Sequence, residues 1–144
     1  MKKKNLFYYL RSWFGEKKKN KTIELHMSNE SIEELKSRLK VLMTTKQPFL
    51  QKGYHMKDMA EDLNIPIYQL SAFINQVMGV RFTDYMNKFR IIYCEELLRK
   101  SDENEKVNFQ YLADKCGFNN RNSFASAFKK FTGKSPSIYL KHLQ

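Results

Sequence analysis

Apolar positions along this chain recur with the spacing of an amphipathic helix, and the pattern occurs twice, 54 residues apart. Each copy has apolar side chains at i, i+3, i+4 and i+7: Leu70, Phe73, Ile74 and Val77, then Phe124, Ala127, Phe128 and Phe131. A glycine follows each run, and a tyrosine lies six residues beyond it: Gly79 and Tyr85, then Gly133 and Tyr139. This self-similarity predicts a duplicated helical unit.

A shorter apolar pattern precedes each run, but its two copies are 53 residues apart: Met56, Met59 and Ala60, then Phe109, Leu112 and Ala113. We place the extra residue in the turn between the two helices of the second unit. Each unit is then a helix–turn–helix, the arrangement in which the second helix enters the DNA major groove.

The remaining apolar positions also have helical spacing, and no alternating strand pattern is seen. Helices are predicted over residues 55–64, 67–78, 82–99, 108–116, 120–131 and 136–143. An earlier helix is predicted to start at a Ser31–Glu34 capping box and to end near Thr44, before Pro48.

The predicted fold class is all-α: two helix–turn–helix subdomains joined by a long linker helix, after a basic N-terminal segment and one extra helix. The expected domains are an N-terminal segment over 1–27, a linker helix over 28–47 and a double helix–turn–helix domain over 48–144.

The second helix of each unit has a polar face opposite its apolar stripe. Those faces carry Tyr68, Ser71, Ala72 and Asn75, then Arg121, Asn122, Ala125, Ser126 and Lys129. No acidic residue lies between Asn64 and Arg81, or after Lys115. Any surface helix has a polar face, but an ordinary one mixes Glu with Lys, so the missing carboxylates favour a phosphate-bearing partner.

The formal charge of +11, from 26 basic and 15 acidic residues, favours nucleic acid or an anionic membrane surface as the partner. Residues 1–22 combine lysine clusters with aromatic side chains. They can be interpreted as a partly ordered basic tail, as an interfacial anchor that brings residues 1–21 to a membrane, or as an arm along DNA phosphates. The sequence leaves these three alternatives open.

Catalytic and metal-binding residues are not indicated. Cys94 and Cys116 lack metal-ligand spacing and occupy apolar positions of predicted helices, which is typical of buried free thiols in a reducing cytosol. The histidines at 26, 55 and 142 are scattered. We therefore expect no enzyme activity, cofactor or metal, and regard a DNA repair protein with a cysteine acceptor as unsupported. Without a signal peptide or a run of about 20 apolar residues, the chain is expected to be cytoplasmic, or the cytoplasmic part of a membrane-associated regulator.

These motifs resemble the C-terminal DNA-binding domain of AraC-type transcription regulators. The resemblance covers roughly residues 50–142 and is strongest over Leu112–Tyr139, with its G-F…S-F…F-K-K…G-x-S-P…Y series. It implies seven helices, with both recognition helices in adjacent major-groove segments. The implied base contacts are Tyr68, Ser71, Ala72 and Asn75 in the first unit, and Arg121, Asn122, Ala125 and Ser126 in the second.

The resemblance also implies phosphate contacts by Lys129 and Lys130, while Arg90 is either structural or directed at phosphate. Ala72 cannot hydrogen-bond a base, and Arg121 is the candidate for a guanine contact. Because the first 45 residues are too few for an effector domain, we expect a stand-alone regulator or the output end of something longer.

We therefore predict sequence-specific binding of double-stranded DNA as the output domain of a transcription regulator. The further partners expected are RNA polymerase or a sensor domain, fused or separate. The alternative is a degenerate helix–turn–helix that serves as a protein- or membrane-interaction module.

Overall fold

The structure is a computed structural model and describes residues 27–102 and 106–143. These residues form seven α-helices and no strand: α1 Asn29–Thr45, α2 Met56–Asp62, α3 Ile67–Ala72, α4 Phe82–Lys100, α5 Phe109–Lys115, α6 Arg121–Thr132 and α7 Pro136–Leu143. A 3₁₀ turn covers Pro48–Leu50, and the helix of α3 continues as a π-helical segment, Phe73–Val77. The predicted all-α class is confirmed. The expectations for residues 1–26 lie outside the described residues.

The described chain divides into two compact units. The first unit comprises residues 27–48 and 54–85, and the second comprises residues 49–53 together with the described residues from 86 onwards. The boundary falls within α4, after Tyr85. The proposed domain limits at 27, 47 and 48 remain a prediction.

Each unit contains a helix–turn–helix. Helix α2 contacts α3 in the first unit, and α5 contacts α6 in the second. The turn spans residues 63–66 in the first unit and 116–120 in the second, so the extra residue lies where the two offsets predicted it. The second residue after the first helix has a left-handed backbone in both turns: Asn64 with φ 52° and Gly117 with φ 84°. Asparagine and glycine are the residues that adopt this conformation most readily.

The predicted start of α1 is wrong by one turn. Ser28, not Ser31, is the N-cap, and its hydroxyl accepts a hydrogen bond from the Ser31 backbone N–H at 3.1 Å. Ser31 is thus the third residue of the helix, and Glu34 is exposed. Two serines three residues apart offer the same cap, and the earlier one satisfies an additional turn of backbone.

Helix α1 is part of the first unit. Its buried face consists of Leu35, Leu39 and Met43. Its Arg38 guanidinium donates to the carbonyl oxygen of Leu63. Just beyond its end, the Lys46 ammonium bonds both carboxylate oxygens of Asp62, at 2.7 and 2.6 Å. These contacts connect α1 to the last turn of α2 and to the residue after it.

The core of the second unit is built from α4, α5, α6 and the turn between α5 and α6: Ile91, Cys94, Leu98, Leu112, Ala113, Cys116, Phe118, Phe124, Ala127 and Phe128. Both cysteines are buried and free, which confirms their interpretation as packing residues. A hydrogen bond with Cys116 and burial raise the pKa of the Cys94 thiol. A neutral buried thiol is inert, so Cys94 contributes packing rather than chemistry.

Within residues 27–102 and 106–143, no helix is long and apolar enough to cross a membrane. The same residues contain no group of three or more potential metal ligands.

Candidate nucleic-acid interface

Helix α6 has one buried face and one exposed polar face. Phe124, Ala127 and Phe128 are buried, whereas Ala125 is partly exposed. The polar positions predicted from periodicity are all at the surface: Arg121, Asn122, Ser126 and Lys129. Lys130, which the family resemblance implied, is also exposed. Because α6 is regular over 12 residues, these side chains follow one another at helical spacing.

The ends of α6 are fixed by local hydrogen bonds. The Asn120 side chain caps the helix by accepting from the Ser123 N–H at 2.8 Å. Gly133, with φ 77°, closes it by donating its N–H to the Lys129 carbonyl at 2.9 Å. Asparagine before the first turn and glycine after the last are strong helix boundary signals.

Aromatic contacts hold the buried face of α6 in place. Phe124 packs edge-on against Phe118 and Phe128, with ring centroids 5.5 and 5.6 Å apart. Phe128 in turn contacts Tyr139 of α7 at 5.1 Å. The Tyr139 hydroxyl donates to the Glu95 carboxylate of α4 at 2.7 Å. Burial, followed by the hydrogen bond to Glu95, raises the pKa of Tyr139 to about 12, so this link persists across the physiological pH range.

Helix α3 follows the same plan in the first unit. Leu70, Phe73 and Ile74 are buried. On the opposite face, Tyr68 is 75% exposed. Asn75 is also exposed, while Ser71 and Ala72 are partly exposed. The four predicted residues therefore lie at the surface or partly at it.

The π-helical segment distinguishes the end of the α3 helix from α6. The Met78 N–H bonds the Phe73 carbonyl, five residues back, at 3.1 Å. Asn75 and its neighbour Gln76 are both exposed there, and the Asn75 amide donates to the Ser71 hydroxyl at 3.3 Å. π-turns inside helices are frequent at functional sites.

Gln76 was not among the predicted contacts. The signal that could have identified it is the repeat itself, since Gln76 occupies the position of Lys130 in the second unit. On a helical wheel with 3.6 residues per turn, Gln76 lies at the edge of the polar face rather than at its centre.

Arg90 lies among groups of its own unit. Its Nε donates to the Phe49 carbonyl at 2.7 Å, and its Nη1 donates to the Asn87 side chain at 2.9 Å. The guanidinium carbon lies 5.6 Å from the centre of the Phe118 ring. Burial lowers the pKa of Arg90. Two of the guanidinium nitrogens are therefore used in hydrogen bonds within the protein.

One carboxylate on α2 and one on α5 are paired with a lysine. Asp62 accepts from Lys46 and from the Tyr54 hydroxyl, and these bonds lower the pKa of its carboxyl group. Asp114 of α5 pairs with Lys52 at 2.7 Å, and the hydrogen bond from Lys52 lowers the pKa of that carboxyl group. Both carboxylates lie on the first helix of their helix–turn–helix, where each is paired with a lysine, and neither is on α3 or α6.

The chain contains two helix–turn–helix motifs, and the second helix of each exposes a face without carboxylates. These features place it in the class of helix–turn–helix DNA-binding domains. A sequence model described as a helix-turn-helix domain matches residues 59–142, more than half of the chain. The chain belongs to the AraC-type helix–turn–helix family of transcription regulators.

Individual relatives agree with this assignment. The transcriptional regulatory protein HptR of Staphylococcus aureus is 31% identical over 97 residues, which are 64% of this chain and 36% of that protein. The C-terminal domain of AraT, a response regulator from Geobacillus stearothermophilus, is 27% identical with a TM-score of 0.61, over 72% of this chain and 83% of that one. A Listeria innocua protein of unknown function is 32% identical with a TM-score of 0.61, over 74% and 96% of the two chains. The chain thus spans about a third of the length of the curated relative.

Proposed function

We propose that this chain binds double-stranded DNA sequence-specifically, as the output domain of a transcription regulator. The observation that carries the proposal is the distribution of buried and exposed side chains on α3 and α6. Each buries its apolar stripe within a helix–turn–helix and exposes small, polar or basic side chains without a carboxylate. Such a face can enter a groove about 12 Å wide and meet phosphate without repulsion.

In the second unit, Arg121 is the proposed guanine contact. It is exposed at the first position of α6, and an arginine can bond the O6 and N7 acceptors of guanine together. Asn122, Ala125 and Ser126 follow on the same face as base contacts. Lys129 and Lys130, one to two turns further on, are the proposed phosphate contacts.

In the first unit, the proposed base contacts are Tyr68, Ser71, Ala72 and Asn75. Asparagine can bond adenine, and the Ala72 methyl group can pack against a thymine methyl. Arg90, by contrast, is assigned a positioning role, because it bonds the Phe49 carbonyl and Asn87 of its own unit. The placement of the two helices in adjacent groove segments remains a prediction.

Replacing Arg121 tests the proposal at its sharpest point. Arg121→Ala is expected to cost about 1–3 kcal/mol of binding free energy on a duplex selected by the protein, because one bidentate contact is lost. A set of duplexes with single base-pair changes should locate that loss at one position. Lys100→Ala removes one positive charge from the exposed end of α4 and is the matched control. An equal loss on selected and scrambled duplexes for Arg121→Ala would refute its base contact.

One observation favours the alternative of a protein-interaction module: Ile67 and Tyr68 are 48% and 75% exposed at the start of α3. The two functions differ in their behaviour towards DNA. A module of this kind would attach weakly to random duplex at low salt and show no sequence preference, whereas the proposed DNA-binding domain discriminates between sequences.

Further partners are proposed for the whole protein besides DNA. A sensor domain, fused or separate, would control this domain, as the naming of AraT as a response regulator suggests for that protein. Contact with RNA polymerase, proximity to a membrane through residues 1–21 and a cytoplasmic location remain predictions. Non-enzymatic function is likewise the proposal that fits a helix–turn–helix family.

A further inference from the structure

The two recognition helices differ in charge at equivalent exposed positions. With the offset of 54 residues, Arg121, Lys129 and Lys130 of α6 correspond to Ile67, Asn75 and Gln76 of the first unit. All six side chains are exposed. Three cationic positions of the second unit are therefore neutral in the first, although the helices that carry them have the same place in the repeat.

The difference extends to the surrounding sequence. No charged residue occurs from Leu63 to Val80, whereas residues 116–144 contain five basic side chains and no acidic one. Residues 27–48 and 54–85 have six basic and seven acidic side chains. Residues 49–53 and 86–144 have twelve basic and six acidic side chains. The described part of the first unit is thus close to neutral, and the second unit carries a net charge of +6. Residues 1–26, which lie outside the described residues, add eight basic and two acidic side chains.

Four of the six basic residues among 27–48 and 54–85 form contacts within the first unit. Lys46 bonds Asp62, Lys36 bonds Glu33 at 2.7 Å, and Lys57 lies 3.9 Å from Glu61. Arg38 donates to the Leu63 carbonyl. The three lysine charges are thus paired with a carboxylate at close range, which reduces their attraction for phosphate.

From these observations we infer that the two units divide the recognition of DNA unequally. The second unit supplies the salt-dependent phosphate contacts through Lys129 and Lys130. The first unit contacts its part of the site through uncharged amide, hydroxyl, aromatic and methyl groups, with Gln76 as an additional contact. This inference rests on the proposed function.

A reciprocal exchange between the repeats tests the inference on the full chain. Each lysine that binds a phosphate adds about 0.9 to the slope of log Kd against log salt concentration. The double variant Lys129→Asn, Lys130→Gln should therefore reduce the slope by about 1.8. When KCl is raised from 50 to 200 mM, the factor by which DNA affinity falls should be about ten times smaller for this variant than for the unchanged protein.

The matched control removes two lysines from the first unit. Lys36→Gln with Lys57→Gln lowers the net charge by the same amount, and the inference expects its slope to stay within about 0.5 of the unchanged protein. The reverse exchange, Asn75→Lys with Gln76→Lys, should increase the slope and weaken discrimination between selected and scrambled duplexes. Thermal unfolding followed by circular dichroism confirms that each variant is folded.

Three results distinguish a failure of DNA binding from a failure of the unequal division between the two units. If the unchanged chain shows no DNA binding at 50 mM KCl, the proposed function fails. If it binds selectively but both double-lysine removals change the slope equally, the unequal division is overturned and the proposed function stands. If Asn75→Lys with Gln76→Lys leaves the slope unchanged, positions 75 and 76 do not approach phosphate as their counterparts do, and the inference is again overturned.

Discussion

At the scale of single residues, the tightest constraint in the second unit is Gly117 in the turn between α5 and α6. Its φ is +84°, and a Cβ added there would collide with the carbonyl oxygen of Phe49 and lie 2.9 Å from the Leu50 Cα. Both obstacles are backbone, which cannot rotate aside. The same carbonyl accepts the Arg90 hydrogen bond, so the close approach fixes the turn that leads into α6.

We therefore expect Gly117→Ala to destabilise the protein by at least about 3 kcal/mol, because left-handed backbone strain adds to a backbone collision. Gly133→Ala is the matched control, since Gly133 has φ +77° but nothing within 4 Å of the added Cβ. It should lose only about 1 kcal/mol. Urea unfolding followed by circular dichroism measures both variants, and equal losses would show that the approach of residues 49–50 has no energetic weight.

The sequence predicted the burial of a single residue correctly where its position in the apolar helical pattern alone determined that burial. Cys94 and Cys116 were placed by their apolar phase, and both are buried. The alternatives for Arg90 could not be separated, because its bond to the Phe49 carbonyl joins residues 41 positions apart. Sequence periodicity contains no information about such a partner.

At the scale of elements, α1 depends on a cluster beside α2. Asp62 accepts from Lys46 and from Tyr54, whose hydroxyl lies 2.6 Å from its carboxylate. The hydrogen bond from Lys46, followed by that from Tyr54, lowers the pKa of Asp62 below its usual 3.8. A depressed folded-state pKa contributes stability above the unfolded-state value, and this stability is lost as the pH falls through the folded-state pKa.

We expect Asp62→Asn to lower the free energy of unfolding by about 1 kcal/mol at pH 7, the loss being moderated by partial exposure of the pair. The difference from the unchanged protein should shrink as the pH falls below about 4, because the Asp62 carboxylate is then protonated first in the unfolded and finally in the folded protein. Urea unfolding at several pH values is the measurement.

Glu61→Gln serves as the control for Asp62. It breaks the exposed pair with Lys57, whose atoms are 3.9 Å apart, and should change stability by less than about 0.5 kcal/mol. A pH-independent effect of Asp62→Asn would contradict the ionised hydrogen-bonded cluster.

Most helix limits were predictable within two residues, because apolar spacing and cap residues agree along most of the chain. Asn120 and Gly133, for example, bound α6 as their residue types indicate. Two features were not predictable. The start of α1 was predicted at Ser31, because a glutamate follows that serine at capping-box spacing, but the helix is capped by Ser28. The π-helical segment Phe73–Val77 leaves the same apolar positions buried as a regular helix would.

At the scale of the whole molecule, a net charge of +11 suggests a uniformly basic protein. The charge is instead distributed unevenly, with residues 27–48 and 54–85 close to neutral. Net charge therefore indicates the type of partner but not which part of the chain meets it. The internal repeat supplies that information, since it compares the two recognition helices position by position.

The central claim is that the exposed faces of α3 and α6 contact specific base pairs. Selection of bound duplexes from a random pool by the full chain tests it most directly. We predict a consensus with two separate blocks of preferred base pairs, one of which loses its guanine preference when the selection is repeated with Arg121→Ala. A bound pool with no enrichment over the input would contradict the account.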